Sequence, residues 1–199
     1  MSTLVVGDVH GCSEELRLTL EAVQPRRVIL LGDLFTKGPD PQGVWELVVE
    51  YGAESVLGNH DCAIMSKDRF KDLDSEALKW LRERPLYISG TVTNDRGSRP
   101  WIVVHAGLNP LGATTRAQAL VLRRWPDDKD HSNPFWWQIY TGPELVIYGH
   151  DAQRLLQDNR PKTLGLDTGC VYGGQLSSYL LEEDQIIQTP ALRTYKPIG

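Results

Sequence analysis

Leu4-Val5-Val6-Gly7-Asp8-Val9-His10-Gly11 sets the pattern from which the rest of the chain can be read. A short, uniformly apolar and partly β-branched run predicts a strand buried on both faces rather than a helix. A glycine then breaks the run, and an aspartate and a histidine follow two residues apart. The order recurs four times: residues 28–31 before Gly32-Asp33, 55–57 before Gly58-Asn59-His60-Asp61, 101–104 before His105-Ala106-Gly107, and 145–148 before Gly149-His150. In open α/β sheets, ligands sit beyond the carboxyl ends of strands. Five strands are therefore expected to deliver Asp, Asn and His side chains to one edge, with adjacent glycines allowing sharp turns.

Helical patterns lie between these strands. A helix is expected from Ser13, with Glu14 and Glu15 in its first turn, where carboxylates suit the dipole, and Leu16, Leu20 and Val23 at helical spacing. Residues 44–51 read as a helix after Pro39-Asp40-Pro41, and residues 74–84 as another, closed by Pro85. Strands are expected at 86–93 and 101–104 around a turn at Asn94-Asp95-Arg96-Gly97, at 164–166, and in a final hairpin over 175–187. Between 108 and 142 the signal is mixed, and Phe135-Trp136-Trp137 reads as a packed corner. The expectation is one α/β domain over residues 1–199, with two sheets packed between helices.

Composition narrows the function. The 199 residues are 41% hydrophobic and 24% charged with a formal net charge of −5, so no global positive field recruits long nucleic acid or an anionic membrane. An anionic substrate must be held by local charge. No apolar run approaches the roughly 20 residues needed to cross a bilayer, and no basic-then-apolar leader opens the chain. Cys12, Cys62 and Cys170 form no CxxC pair, so they are expected as packing residues under loops in a reducing, cytoplasmic compartment.

Of five histidines, His10, His60, His105 and His150 sit in the strand-end motifs and only His131 lies elsewhere. Carboxylates and imidazoles converging at a sheet edge are costly to bury without a compensating cation. Two divalent metals meet that need. Asp8 and His10 suit one ion, Asn59, His105 and His150 the other, and Asp33 can bridge both. Mixed oxygen and nitrogen ligation favours manganese, with iron, zinc or cobalt as alternatives. Two such ions about 3.5–4 Å apart support an in-line displacement at phosphorus, activating water and neutralising phosphoryl charge.

The set GDVHG (7–11), GDLFTKGP (32–39), GNHD (58–61), HAG (105–107) and GH (149–150) resembles the signature of the PPP phosphoesterases. That family contains Ser/Thr protein phosphatases and bacterial diadenosine tetraphosphatases. Each motif is weak alone, but five in order, running from Gly7 to Gly174, are specific. The resemblance implies a calcineurin-like metallophosphoesterase sandwich, the same metal ligands, and His60 as the general acid for the leaving oxygen. GPELVIYGHDAQR (142–154) and GLDTGCVYGGQL (165–176) are more similar to the diadenosine tetraphosphatase (ApaH and ApaH-like) branch. There, Asp167, Thr168 and Gly169 are expected to brace the loop behind the site, Asn59 and Tyr172 to approach the phosphate, and Arg124 to clamp it.

One departure bears on the substrate. Protein phosphatases have GDxVDRGP, in which the second Asp orients the catalytic His and the Arg grips phosphate. This chain has Thr36 and Lys37 instead. Lysine holds phosphate as a point charge rather than a fork, and threonine carries no charge to support a protonated His60. A serine alkoxide leaving group needs a good acid, whereas a terminal phosphate, with a second pKa of about 6, departs with little help. The expectation is a small anionic substrate of the dinucleoside polyphosphate class, with phosphoprotein as the alternative and nucleic acid only as a capped RNA end.

Overall fold

The structure, a computed structural model, describes residues 2–67, 70, 72–95 and 97–197. Strand β1 (Thr3–Val6) pairs in parallel with β2 (Arg27–Leu30), which pairs in parallel with β3 (Glu54–Ser55). On the other side of β1 lies β9 (Gln175–Leu180), antiparallel, and then β10 (Gln185–Pro190). The second sheet runs β4 (Tyr87–Asn94), β5 (Gly97–Val104), β6 (Leu145–Tyr148), β8 (Thr163–Gly165), β7 (Gln157–Asn159). Within it β5, β6 and β8 are parallel, and β4 and β7 close the two edges antiparallel.

The uniformly apolar runs are explained by burial on both faces. Side chains alternate along a strand, so Leu4 and Val6 of β1 enter the layer beneath the helices while Val5 faces the other sheet. In β2, Val28 and Leu30 go outward, and Ile29, together with Leu31 just past the strand, goes inward. Between the sheets these side chains meet Trp101, Val103, Leu145, Ile147, Leu164 and Leu166. The helices α1 (Ser13–Val23), α2 (Pro41–Glu50), α3 (Asn59–Met65) and α4 (Ser75–Arg82) run between strands of the first half. The short α5 (Arg116–Val121) and α6 (Trp136–Ile139) belong to the second half, where Ala119 of α5 and Trp136 of α6 pack with Val104, Val146 and Tyr148.

Boundaries shifted where chain chemistry outweighed periodicity. Helix α2 starts at Pro41 rather than at residue 44, because the Asp40 side chain accepts from Gly43 N and proline needs no donor in the first turn. Strand β5 begins at Gly97, with Pro100 inside it. On β5 only Trp101–Val103 pair with β6, so Pro100 lies where the strand has a neighbour on one side only, a position that tolerates a missing N–H. Of the expected turn at 94–97, Arg96 lies outside the described residues. The cysteines are free, with Cys12 and Cys170 buried and Cys62 half-buried beside Arg116. Among the described residues no helix is long and apolar enough to cross a membrane.

Candidate metal centre

The five strand ends do converge. The turns are tied by backbone hydrogen bonds: His10 N to Asp33 O (2.8 Å), Gly11 N to Leu34 O (2.7 Å) and Gly149 N to His105 O (2.7 Å). Four non-glycine residues of these turns, His10, Asp33, Lys37 and His150, hold φ between +46° and +73°. Such conformations are sparsely populated for residues with a Cβ and persist only where the surroundings over-determine them. Two glycines show how tight the turns are. A Cβ on Gly58 would collide with Asp33 Oδ1, and one on Gly149 would collide with Asp8 Oδ1.

Asp8, His10 and Asp33 are all buried and bring one ligand atom each within 4.8 Å of one another. His105 donates from Nδ1 to Leu31 O (2.7 Å), which leaves Nε2 unprotonated and aimed into the cluster. In His10 the Nε2 faces the Lys37 ammonium at 3.0 Å; an ammonium only donates, so Nε2 is the acceptor and Nδ1 donates to Thr36 Oγ1 at 3.2 Å. Asp33 Oδ2 lies 3.6 Å from His10 Nε2 and 3.6 Å from His105 Nε2, while its Oδ1 accepts from His60 N at 2.8 Å. Asn59 Oδ1 lies 2.9 Å from His105 Nε2 and 3.0 Å from His150 Nδ1. The bare His105 Nε2 thus meets an amide oxygen and a carboxylate oxygen, and a cation among these lone pairs satisfies all of them. His150 Nε2 is buried with no hydrogen-bond partner among the described residues.

Burial governs the protonation states. It pushes His10 and His150 well below the usual imidazole range and brings His60 and His105 down to about 4, with the Lys37 charge acting in the same direction on each. All four rings are neutral at pH 7, so their contacts with Asp33 are not ion pairs. Burial raises the carboxylates: Asp33 and Asp167 to about 7, and Asp8 well above its ordinary value, with Asp167 and Asp33 adding repulsion. A divalent cation must displace protons held by these acids. Metal binding at pH 7 is therefore expected to release protons and to tighten as pH rises through 7. Titration calorimetry in HEPES and in Tris checks this, because their ionisation heats differ; equal heats in both buffers would mean that no proton leaves.

Thr36, at the position where protein phosphatases carry the Asp that orients the catalytic His, bonds His10 Nδ1 through its hydroxyl; among the described residues the His60 ring has no hydrogen-bond partner and packs edge-on to His10 at 5.2 Å. The packed corner is present. Trp136 is buried, donates from Nε1 to Ala106 O (3.1 Å) and meets Tyr148 edge-on, so it cannot stack a base. A cleft of about 670 Å³ is lined by His10, Asp33, Lys37, Asn59, His60, Arg124, His150 and Tyr172 among others. Tyr172 forms wall beneath Lys37, whose ammonium lies 5.4 Å from the ring centroid. Arg124 reaches the cleft, but its guanidinium carbon lies over Phe135, 4.2 Å from the ring centroid. Asp167 accepts from Gly169 N, and Thr168 Oγ1 bonds Gln175 O and Ser177 Oγ, as bracing residues would.

The sequence pattern assigns no role to Asp61. It is fully buried and accepts from Asp33 N (2.8 Å), Leu34 N (3.0 Å) and Gly58 N (3.1 Å), holding two of the turns together. Its place directly after Asn59-His60 in GNHD is the available signal.

Comparison with known proteins agrees with this geometry. Residues 1–154 match the family model for calcineurin-like phosphoesterases. The chain is 38% identical to a protein of Edwardsiella ictaluri named symmetrical bis(5'-nucleosyl)-tetraphosphatase, over 277 aligned positions covering 97% of each chain. A protein of the same name from Erwinia tasmaniensis is 26% identical, covering 97% of this chain and 98% of that one. These alignments are longer than the 199 residues here, so the relatives carry inserted segments. A crystal structure provisionally described as a diadenosine tetraphosphatase superposes with a TM-score of 0.84 at 30% identity, covering 96% of this chain and 93% of that one. Converging strand-end ligands, two sheets packed face to face and these matches lead to one conclusion: the chain belongs to the calcineurin-like phosphoesterase family, a family of metal-dependent hydrolases.

Proposed function

We propose that this protein hydrolyses phosphoanhydride bonds of dinucleoside polyphosphates at a site for two divalent cations, manganese first among them. Asp8 and His10 serve one cation, Asn59, His105 and His150 the other, and Asp33 both. Asp33 Oδ2, equidistant from an imidazole nitrogen of each half-site, supports the bridging role. Bound there, the cations supply Lewis acidity toward the phosphoryl oxygens and toward the attacking water. The chain's own residues do the rest. Lys37 adds a positive charge beside His10, and His60, held by its backbone bond to Asp33 Oδ1, faces the cleft as hydrogen-bond donor to the leaving oxygen. The two sheets share one core, which supports reading residues 1–199 as one domain, and the free cysteines fit a reducing cytoplasm.

The observation that carries the choice of an anhydride is His60. Its ring has no carboxylate partner among the described residues, and burial together with the Lys37 charge keeps it neutral at pH 7. A neutral imidazole is a weak acid, adequate for a nucleotide phosphate leaving group and poor for an alkoxide. The names borne by the relatives favour the same class over phosphoprotein.

The test is product chromatography after incubation with manganese, offering diadenosine tetraphosphate and, separately, a phosphoserine peptide. Two ADP per dinucleotide with little phosphate from the peptide is expected. AMP plus ATP would move the attack to another phosphorus; fast release from the peptide with the dinucleotide intact would overturn the reading.

A further inference from the structure

The metal cluster and Lys37 account for one phosphate, yet the same cleft is lined by three arginines, Arg123, Arg124 and Arg154. Arg123 is engaged: its Nε lies 3.5 Å from Asp151 Oδ1, and its Nη2 donates to His150 O. Asp128 is also engaged, its Oδ1 accepting from the backbone N–H groups of Arg123 and Arg124. Arg154 differs. Its side chain is exposed, its guanidinium sits 4.8 Å over the Phe135 ring, and among the described residues it has no carboxylate within ion-pair distance. Arg124 lies 4.2 Å over the same ring and uses one nitrogen on Asn133 O. Phe135 is itself fixed, stacked at 7° on Trp137 and bridged by backbone bonding to Arg124. Immediately after Arg154, the exposed Leu155 holds φ +56° and ψ −155°, a region close to glycine-only, at the rim of this cleft.

A guanidinium held over an aromatic ring is restrained by the cation–π contact yet keeps N–H groups available for bidentate contact with phosphate. Resting on the polyphosphate reading above, we propose that Arg154 and Arg124, seated on Phe135, form a subsite for the substrate's phosphates beyond the one attacked. The ligand class is a linear polyphosphate, and the subsite makes affinity rise with phosphate number. Phe135 is a positioning residue: its ring is covered by guanidiniums and Trp137 and is no platform for a base.

The experiment is competition against p-nitrophenyl phosphate turnover at fixed free manganese, using orthophosphate and a methylene-bridged tripolyphosphate. Losing a charge-assisted contact corresponds to about 10-fold or more. Arg154→Ala is expected to weaken tripolyphosphate inhibition by about that factor and to affect orthophosphate several-fold less. Phe135→Leu should move in the same direction although every charge remains, and Arg154→Lys should recover only part. Equal losses for the two inhibitors, or no loss for either, would overturn the subsite. The assay does not need dinucleotide cleavage, so a failure of the substrate reading registers in product chromatography and a failure of the subsite registers here.

Discussion

Asp33→Asn is expected to lower kcat/KM about a thousandfold or more with manganese present, and to raise the melting temperature of the metal-free protein at pH 8. On the proposed assignment Asp33 is the only side chain shared by both cations. Charge stabilisation by a bound metal is worth several kcal/mol, and each increment of about 1.36 kcal/mol is a factor of ten. An amide keeps the shape and can still accept from His60 N, but it carries no charge to hold two cations. The stability effect has the opposite sign. Burial raises the Asp33 pKa to about 7, above the roughly 3.9 of an unfolded chain. The folded state therefore binds this proton more tightly, so the contribution is most favourable below about pH 4 and is lost as pH rises through 7. At pH 8 the wild type carries a buried carboxylate beside Asp8 and Asp61, and the amide variant does not. The introduced amide can also donate toward His10 Nε2 or His105 Nε2, each of which faces a carboxylate oxygen at 3.6 Å in the wild type. Calorimetric scans in EDTA at pH 5 and pH 8 give the test. A variant that gains nothing at pH 8 would mean that Asp33 is not charged against its surroundings, and one that keeps its activity would remove it from the metal site.

Asp61→Ala should destabilise the protein by about 3 kcal/mol or more and cut activity in parallel, although the Asp61 carboxylate bonds only backbone N–H groups and no proposed ligand atom. Each of three buried N–H groups loses its acceptor, and an unsatisfied buried donor costs about 1–3 kcal/mol. For a chain of this size that is a fall in melting temperature of roughly 6–12 °C. Two of the donors belong to Asp33 and Gly58, so the damage falls on the turn that aims the Asp33 carboxylate. Asp61→Asn separates packing from hydrogen bonding: it fills the same space, yet its NH2 must face at least one N–H. Thermal unfolding and metal stoichiometry, measured on both variants, decide the matter. If Asp61→Ala melts within about 2 °C of wild type, less than 1 kcal/mol for a chain of this size, the carboxylate is not what holds the turns.

Much of the site was legible because its information is local. A strand buried on both faces must be written as an apolar run, and a chain that turns at its end to present a side chain needs glycine beside an Asp, Asn or His. Leu4–Gly11 states that rule and four later motifs repeat it, so which Asp, Asn and His side chains gather, and at which strand ends, follow from the sequence. The mixed stretch between 108 and 142 resisted for the same reason: α5 and α6 are short, and Trp136 is held by distant Ala106 and Tyr148 as well as by nearby Tyr140.

What the tertiary structure alone decided is which side chains face each other. Thr36 stands where another residue type would orient His60, yet it bonds His10, because the turn after β2 folds back on the turn after β1. The left-handed conformations of His10, Asp33, Lys37 and His150 carry little sequence signal: Asp and His adopt them more readily than most residues, but residue type alone does not say where. Asp61 looks like the tail of a motif and proves to be the acceptor that joins two loops. Arg154, Arg124 and Phe135 are separated by up to 30 residues and meet on one ring. Residue types and their order fix the chemistry that the chain can attempt. Sheet order and strand register fix the few ångströms between partners far apart in sequence, and on those distances the chemistry depends.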